Sequence, residues 1–348
     1  MSGKLISASV IIPTYNRSES LAQALASLSA LKVPEGKFEV IVVDNNSLDD
    51  TRQVAEAARS AGLDLKYVFE PRLSFTLARH TGADAASGEI LIYIDDDVTV
   101  TPGWLTAILD AFETDGRIGV LGGPILPIFE TEPPDWVCNT PGLFNGLSLW
   151  TKQPRRQEVK GVPGPNFSVR RSFLHQVGGF PADTIGVEAN GRPGVVEKVY
   201  VGDGDYGLCR KIHQAGYKVI YEPGAIVEHH IPELRLTKPW WRARLAGEAY
   251  VHAIVDWREQ SHFLPLIFAR LLFFGLLRGG KIALRVILNT IRGKHWLEML
   301  DFQWVYVKTR LRVQWALIRH PKLADQLWEI ALTGIQSVDL DELKEILP

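Results

Sequence analysis

Three consecutive carboxylates, Asp95, Asp96 and Asp97, close the apolar run Ile90–Ile94 to give ILIYIDDD. Adjacent carboxylates repel one another, so a triplet at the end of a buried segment is a poor structural feature but a good source of oxygen ligands for a hard divalent cation, Mg2+ or Mn2+. The bland alternative is a solvated turn that caps the helix beginning near Pro102. Two more apolar runs end as abruptly. VIIP passes into Pro13-Thr14-Tyr15-Asn16-Arg17, and VIVV into Asp44-Asn45-Asn46-Ser47. No GxGxxG follows the first run and no GxxxxGK[ST] occurs anywhere, so phosphate binding by a glycine-rich helix start loses its main support. A cation on the aspartates is then what would hold phosphate, and the chemistry points to a diphosphate that leaves.

The elements that must position these residues are legible between residues 8 and 115. Short apolar runs rich in β-branched residues predict strands over Ser9–Ile12, Glu39–Val43, Leu65–Phe69 and Ile90–Ile94. Stretches of helical period lie between them, over Ser18–Leu31, Asp49–Ala61 and Thr76–Ala86. The alternation predicts an α/β, Rossmann-like, doubly wound sheet whose strands are covered on both faces. Ligands bind such a sheet outside the carboxyl ends of its strands, which would bring the three polar clusters to one crevice. From Gly116 to Gly164 the text is rich in Gly, Pro and Trp and reads as loops and short edge strands, more surface than core. Order returns over 166–224, with a helix at Tyr206–Ala215 and a strand at Lys218–Tyr221, and a boundary is expected near Pro232. Three stretches of helical composition follow.

Bulk properties narrow the class. The 348 residues are 46% hydrophobic, enough for one large or two modest cores. The formal net charge of −2 is unevenly spread: residues 235–322 hold 16 Lys/Arg against 5 Asp/Glu, about +11, leaving about −13 elsewhere. Cys138 and Cys209 form no metal or disulfide spacing, and the first residues run straight into a strand, so a cytoplasmic protein is expected. The basic segment is interleaved with long apolar runs, which argues against nucleic acid as partner.

Five ordered blocks carry a resemblance to a known family: VIIPTYNR at 10–17, VIVVDNNSLDDT at 40–51, LARHTGADAASGEILIYIDDD at 77–97, GPNFSVRRSFLHQVGGF at 164–180 and GDYGLCRKIHQAGYKVIYEPGAIVEHH at 204–230. In this order and spacing the chain resembles the family-2 glycosyltransferases of GT-A fold. The resemblance implies a GT-A domain over 1–232, with a nucleotide-sugar half (1–115) and an acceptor half (116–232), ahead of a helical, basic region over 233–348. It implies that Thr14, Tyr15 and Arg17, with Pro13 beside them, line the nucleotide pocket, that Asp44 and Asn45 face base and ribose, and that Arg79 lies near the diphosphate. Asp95 and Asp96 would contact the sugar nucleotide, and Asp97 would bind the metal. Where many relatives read VVDDGS this chain reads VVDNNS; the Asn45 amide can still bond a base, and uridine is favoured.

On the acceptor side, the same resemblance puts Asp205 on the family's general-base position, counting back from Ala215-Gly216-Tyr217, with Gly204 where a Glu usually stands. Asp203 is one alternative source of that charge, and helix capping is an alternative role for Asp205. His229 would approach the metal or diphosphate, although a loop histidine is more often merely solvated. Asn166 and Trp136 are candidates to face the sugar or acceptor; Trp136, beside Pro133-Pro134, could equally be loop packing. The implied reaction is inverting transfer from a nucleotide-sugar donor to a glycan or lipid-linked (polyprenyl) acceptor. Competing classes are a non-catalytic carbohydrate-binding protein on the same scaffold and a sugar nucleotidyltransferase. FLPLIFARLLFFGLL at 263–277, broken by Arg270, is too short to span a bilayer and reads as interfacial. With the basic flank and Trp240, Trp241, Trp257, Trp296, Trp304 and Trp315, it suggests peripheral seating on the inner face of the cell membrane. The alternative is a helical subdomain packed on the catalytic body.

Overall fold

The computed structural model describes residues 7–32, 38–139, 143–188, 196–259 and 296–333. Strands β1 (Ala8–Thr14), β2 (Phe38–Asp44), β3 (Leu65–Phe69) and β4 (Ile90–Ile94) run parallel in the order β3-β2-β1-β4. Helices α1 (Ser18–Ser29), α2 (Thr51–Ser60) and α3 (Phe75–Ala85) make the crossovers. Every residue of β1 and β4 is buried, as the apolar runs VIIP at 10–13 and Ile90–Ile94 require when both sheet faces are covered.

Past β4 the chain continues through β5 (Val98–Val100), α4 (Trp104–Thr114), β6 (Ile118–Gly122), β7 (Ile125–Phe129), α5 (Asp135–Asn139), α6 (Leu143–Gly146), β8 (Gln157–Glu158), β9 (Asn166–Arg170) and α7 (Arg171–Gln176). The pair β10 (Thr184–Glu188) and β11 (Val196–Tyr200) follows, then α8 (Gly204–Gln214), β12 (Lys218–Tyr221) and β13 (Val227–Ile231). The main sheet has eight strands in the order β3-β2-β1-β4-β9-β6-β12-β8, and β9 runs antiparallel to both β4 and β6. The parallel sheet expected over residues 8–115 is present in the first four strands; beyond it β9 is antiparallel, while β12 again runs parallel to its neighbour β6. The glycine-rich text after Gly116 also proves to be core in part: β6 is an interior strand, buried throughout. Its glycines are what admit the neighbours, since a Cβ on Gly122 would lie 2.2 Å from Val162 and 2.6 Å from the Asn166 carbonyl. Composition alone made that stretch look like loop.

A second sheet, β5-β13-β7, crosses the carboxyl end of β4 and carries residues 229 and 230 to the aspartates. Three long helices close the described chain: α9 (Lys238–Glu259), α10 (Trp296–Arg319) and α11 (Leu323–Thr333). They share a core of Tyr250, Ile254, Val313, Leu317 and Leu327 with Ala182 and Val201. Trp241 is buried under α6, where a Cβ on Gly146 would meet its ring at 2.5 Å, and Trp240 and Trp257 are half-buried. Among the described residues no helix is long and apolar enough to cross a membrane. The segment 263–277 lies outside the described residues.

One buried carboxylate ties the amino ends of the four parallel strands. Glu39 Oε1 accepts from Ser9 Oγ, Ser87 N and Ser87 Oγ at 2.6 Å each, and Oε2 pairs with Lys66 at 2.6 Å. Burial opposes its ionisation, but these partners outweigh burial and hold the carboxyl down at about 2. A depressed carboxyl contributes stability above its unfolded value, and that contribution is lost as pH falls towards the folded one. Glu39→Gln is expected to cost about 2 kcal/mol at neutral pH and to flatten the loss of stability below about pH 4.5. Denaturant melts of both proteins across that range check it.

Candidate active site

The loop after β1 is locked to the loop after β2. Asn16 and Asn46 adopt φ of 53° and 69°, a left-handed conformation that asparagine tolerates better than most residues. The Asn16 side-chain oxygen accepts from Leu48 N at 2.7 Å, and Asn16 N donates to Ser47 Oγ at 2.9 Å. Arg17 is thereby aimed across the strand ends, donating to Asp96 Oδ1 at 2.8 Å and Asp97 Oδ2 at 2.9 Å. Thr14 Oγ1 donates to the other Asp96 oxygen at 2.8 Å, so Asp96 braces the site with both oxygens engaged.

Asp97 has partners from three directions. His230 N donates to its backbone carbonyl at 2.9 Å, pinning β13 beside it, and His229 Nε2 lies 3.2 Å from Asp97 Oδ1. Arg235, on the 3-10 turn Glu233–Leu236, donates to Asp97 Oδ2 at 2.7 Å and lies 2.9 Å from His229 Nε2. Burial works against a charge on Asp97, but His229, Arg235 and Arg17 together hold its carboxyl well below the usual range. Burial and the neighbouring Asp97 charge instead push Asp95 up to about 6.

These residues fit a divalent cation. Asp97 Oδ1 is buried with no hydrogen-bond partner and faces His229 Nε2, which is engaged with Arg235, so one orphaned oxygen and one nitrogen lie close enough to share a cation if Arg235 gives way. Among the described residues no set of three His, Cys, Asp or Glu side chains forms a ready-made cage. The protein would thus supply two ligands and leave the rest to phosphate oxygens and water, a common arrangement for hard cations.

Across the cleft, Asp205 lies in the first turn of α8, whose N-cap is Asp203. Asp205 Oδ1 accepts from Arg79 Nη1 at 2.5 Å. Arg79 is only 2% exposed, with its guanidinium 4.1 Å from the Phe75 ring centroid and 4.8 Å from that of Phe180. Gly164 leaves room for the pair, because a Cβ there would lie 2.5 Å from Asp205 Oδ2 and 2.7 Å from Arg79 Nη2. The acidic side chain missing at Gly204 has a spatial substitute. Asp183 stands 3.8 Å from Arg79, and a Cβ on Gly204 would meet its Oδ2 at 2.8 Å. Asp203, by contrast, is turned to Arg210 at 2.5 Å.

One cavity of about 840 Å³ joins the two halves. Its wall contains Pro13, Thr14, Tyr15, Arg17, Asn45, Arg79, the triplet Asp95 to Asp97, Asp203 and Asp205. Asp44, His229, Asn166 and Trp136 are not on that wall. Asp44 accepts from Tyr67 OH at 2.6 Å and Ser47 N at 2.8 Å; His229 stands behind Asp97. Asn166 is fully buried, donating to Ala225 O at 2.7 Å and accepting from Trp104 Nε1 at 3.0 Å, and Trp136 packs on Phe302. The Asn45 amide is spent on the backbone of Glu70, Arg72 and Ser74. Sequence reasoning missed Asp183, Arg235 and the α9 residues Arg244, Glu248 and His252, which also line the cavity. The four-residue spacing of that last trio was the available signal, but a boundary drawn at Pro232 put it in another unit.

Residues 9–178 match the profile of the family described as Glycosyl transferase family 2. The succinoglycan biosynthesis protein ExoM of Rhizobium meliloti is 30% identical over 242 residues, covering 69% of this chain and 72% of that protein. The glucosyl-dolichyl phosphate glucuronosyltransferase of Haloferax volcanii is 28% identical over 258 residues, covering 71% and 77%. Among solved structures, the mannosyltransferase PcManGT from Pyrobaculum calidifontis, in complex with GDP-Man and Mn2+, superposes with a TM-score of 0.57 at 20% identity, over 89% of this chain and 88% of that one. That likeness establishes the shared fold.

Removing a buried cation strands the carboxylates it held. Arg79→Met is therefore expected to lower stability by about 2–4 kcal/mol, at the lower end because Asp205 is partly solvated. Adding Asp205→Asn should recover part of the loss, since the two residues act as one pair. Chemical denaturation of the single and double variants measures both effects.

Proposed function

The chain belongs to glycosyl transferase family 2, with a GT-A fold and glycosyltransferase activity, and from that premise we propose that it moves a sugar, with inversion, from a nucleoside-diphosphate sugar to a hydroxyl of a lipid-linked glycan. The observation that carries this reading is the single cavity in which the braced aspartates of β4 face Asp205 on α8. A UDP-sugar is the proposed donor by resemblance to the family as a whole; the segment 40–51 does not add to that choice, since Asp44 lies off the cavity wall and the Asn45 amide is bonded to backbone. Residues 1–232 form the proposed catalytic unit, and 233–348 a helical region that faces the membrane surface inside the cell.

The residues divide the work by charge. Arg79 orients Asp205 through one carboxylate oxygen, which leaves the other to take the acceptor hydroxyl's proton as the hydroxyl oxygen attacks the anomeric carbon. Asp97 and His229 would hold the divalent cation, which when bound neutralises charge developing on the departing diphosphate. Arg17 and Arg235 stand at the same end of the cavity, where fixed positive charge favours that leaving group. Asp96, held by Thr14 and Arg17, keeps the strand end rigid. The relatives support a glycan or lipid-linked acceptor: one is named for succinoglycan biosynthesis, another as a glucosyl-dolichyl phosphate glucuronosyltransferase.

The test is a donor panel scored by nucleoside diphosphate release with Mn2+, Mg2+ or excess EDTA, followed by NMR of the product's anomeric configuration. Asp205→Asn is expected to leave donor affinity nearly unchanged and to lower kcat by about 10³-fold, since an amide cannot accept the proton. Release equal to that of the parent protein would remove Asp205 from the role. Chelation, or Asp97→Ala, is expected to abolish turnover; undiminished release in EDTA with the correct donor sinks the cation assignment.

A further inference from the structure

Helix α10 has two unlike faces. Phe302, Tyr306, Val313, Ala316 and Leu317 point into the protein, and Arg310 pairs with Asp256 of α9. The exposed positions are Trp304, Lys308, Leu311, Arg312, Trp315 and Arg319, whose spacings of four, three, one, three and four residues put them on a single outward face. Trp304 is 66% exposed, Leu311 47% and Trp315 52%. An isolated exposed apolar residue means little, but two indoles and a leucine aligned on one helix face mark a surface made to be covered.

The companions of the indoles identify the cover. Lys308, Arg312 and Arg319 alternate with the apolar side chains, no carboxylate is among the exposed positions of this face over the described side chains of 300–319, and the Arg319 guanidinium lies 5.6 Å from the Trp315 ring. Indoles and long basic side chains on one helix face suit the boundary between acyl chains and anionic headgroups. The sequence just ahead of α10 has the same character, with six Lys/Arg and no Asp/Glu over 260–295. We propose that this face of α10 docks on an anionic lipid surface. The proposal rests on the lipid-linked acceptor reading and gives it a place: α10 packs along α9, whose Arg244, Glu248 and His252 line the cavity, so headgroups on α10 would lie about two helix diameters, ~20 Å, from the site.

The test is flotation of the full chain with vesicles of phosphatidylcholine alone or with about one third phosphatidylglycerol. The parent is expected to float with anionic vesicles only and to be released at about 0.5 M salt, where screening is nearly complete. Trp304→Ser/Trp315→Ser, and separately Lys308→Glu/Arg319→Glu, should each lower partitioning about tenfold or more with an unchanged melting midpoint. Partitioning of both variants equal to the parent's would overturn the proposal, as would a dimer of the parent that the tryptophan variant dissociates without loss of vesicle binding, which would make the face a subunit contact. Nucleoside diphosphate release by the same proteins separates the two ideas. Vesicle docking without any donor turnover would sink the catalytic reading and leave this face standing, whereas turnover without docking would do the reverse.

Discussion

The Arg79 guanidinium is a cation almost wholly removed from water, and such a group is tolerated only where its charge is met. Asp205 and Asp183 meet it, and aromatic rings on either side fill the space that water would otherwise occupy. Because α3 packs on the first half of the sheet and α8 on the second, this pairing, together with the β4–β9 ladder, constrains how the halves face each other. The start of α8 has little freedom once Asp205 must reach Arg79. Gly164 and Gly204 follow from it, since a side chain at either position would displace a carboxylate of the pair. The same contact thus delivers a carboxylate oxygen to the cavity.

The opposite end of the cavity is balanced in another way. Three carboxylates lie in consecutive positions, and each has a different environment. Asp96 is consumed by Thr14 and Arg17, Asp97 is shared among Arg17, Arg235 and His229, and Asp95 is pushed towards neutrality by burial and by its neighbour's charge. Placing all three charges in one low-dielectric pocket would be costly, so the surrounding guanidinium groups are a condition of having the triplet at all. Arg235 occupies both Asp97 Oδ2 and His229 Nε2 in this arrangement, so a cation seated between those residues would have to share or displace it.

The C-terminal helices serve both ends of this arrangement. Their inner faces build a second core with Ala182 and Val201, and α9 lends polar side chains to the cavity wall. Composition suggested a membrane-facing region, and three of its six tryptophans take part in packing: Trp241 is core, and Trp240 and Trp257 are half-covered. Among the described residues of this region, the basic and aromatic stripe of α10 is the surface proposed for an outside partner.

By itself the sequence determined the first four strands and their crossover helices, because buried parallel strands must be continuously apolar and must stop where the chain turns polar. It also located the three strand-end clusters, and the ordered motifs identified the family. The tertiary structure decided what local text cannot carry. Glycines in β6 looked like loop and are interior, since the close approach they permit involves Val162 and Asn166, far along the chain. Asn166 looked available for a sugar and is a buried pin between α4 and the turn before β13. Asp183 was invisible as a partner of the base because its relevance depends on an empty Cβ position at Gly204 and on a guanidinium 104 residues earlier. Periodicity reports which residues are buried, whereas charge pairing between distant elements is fixed only when the chain closes on itself.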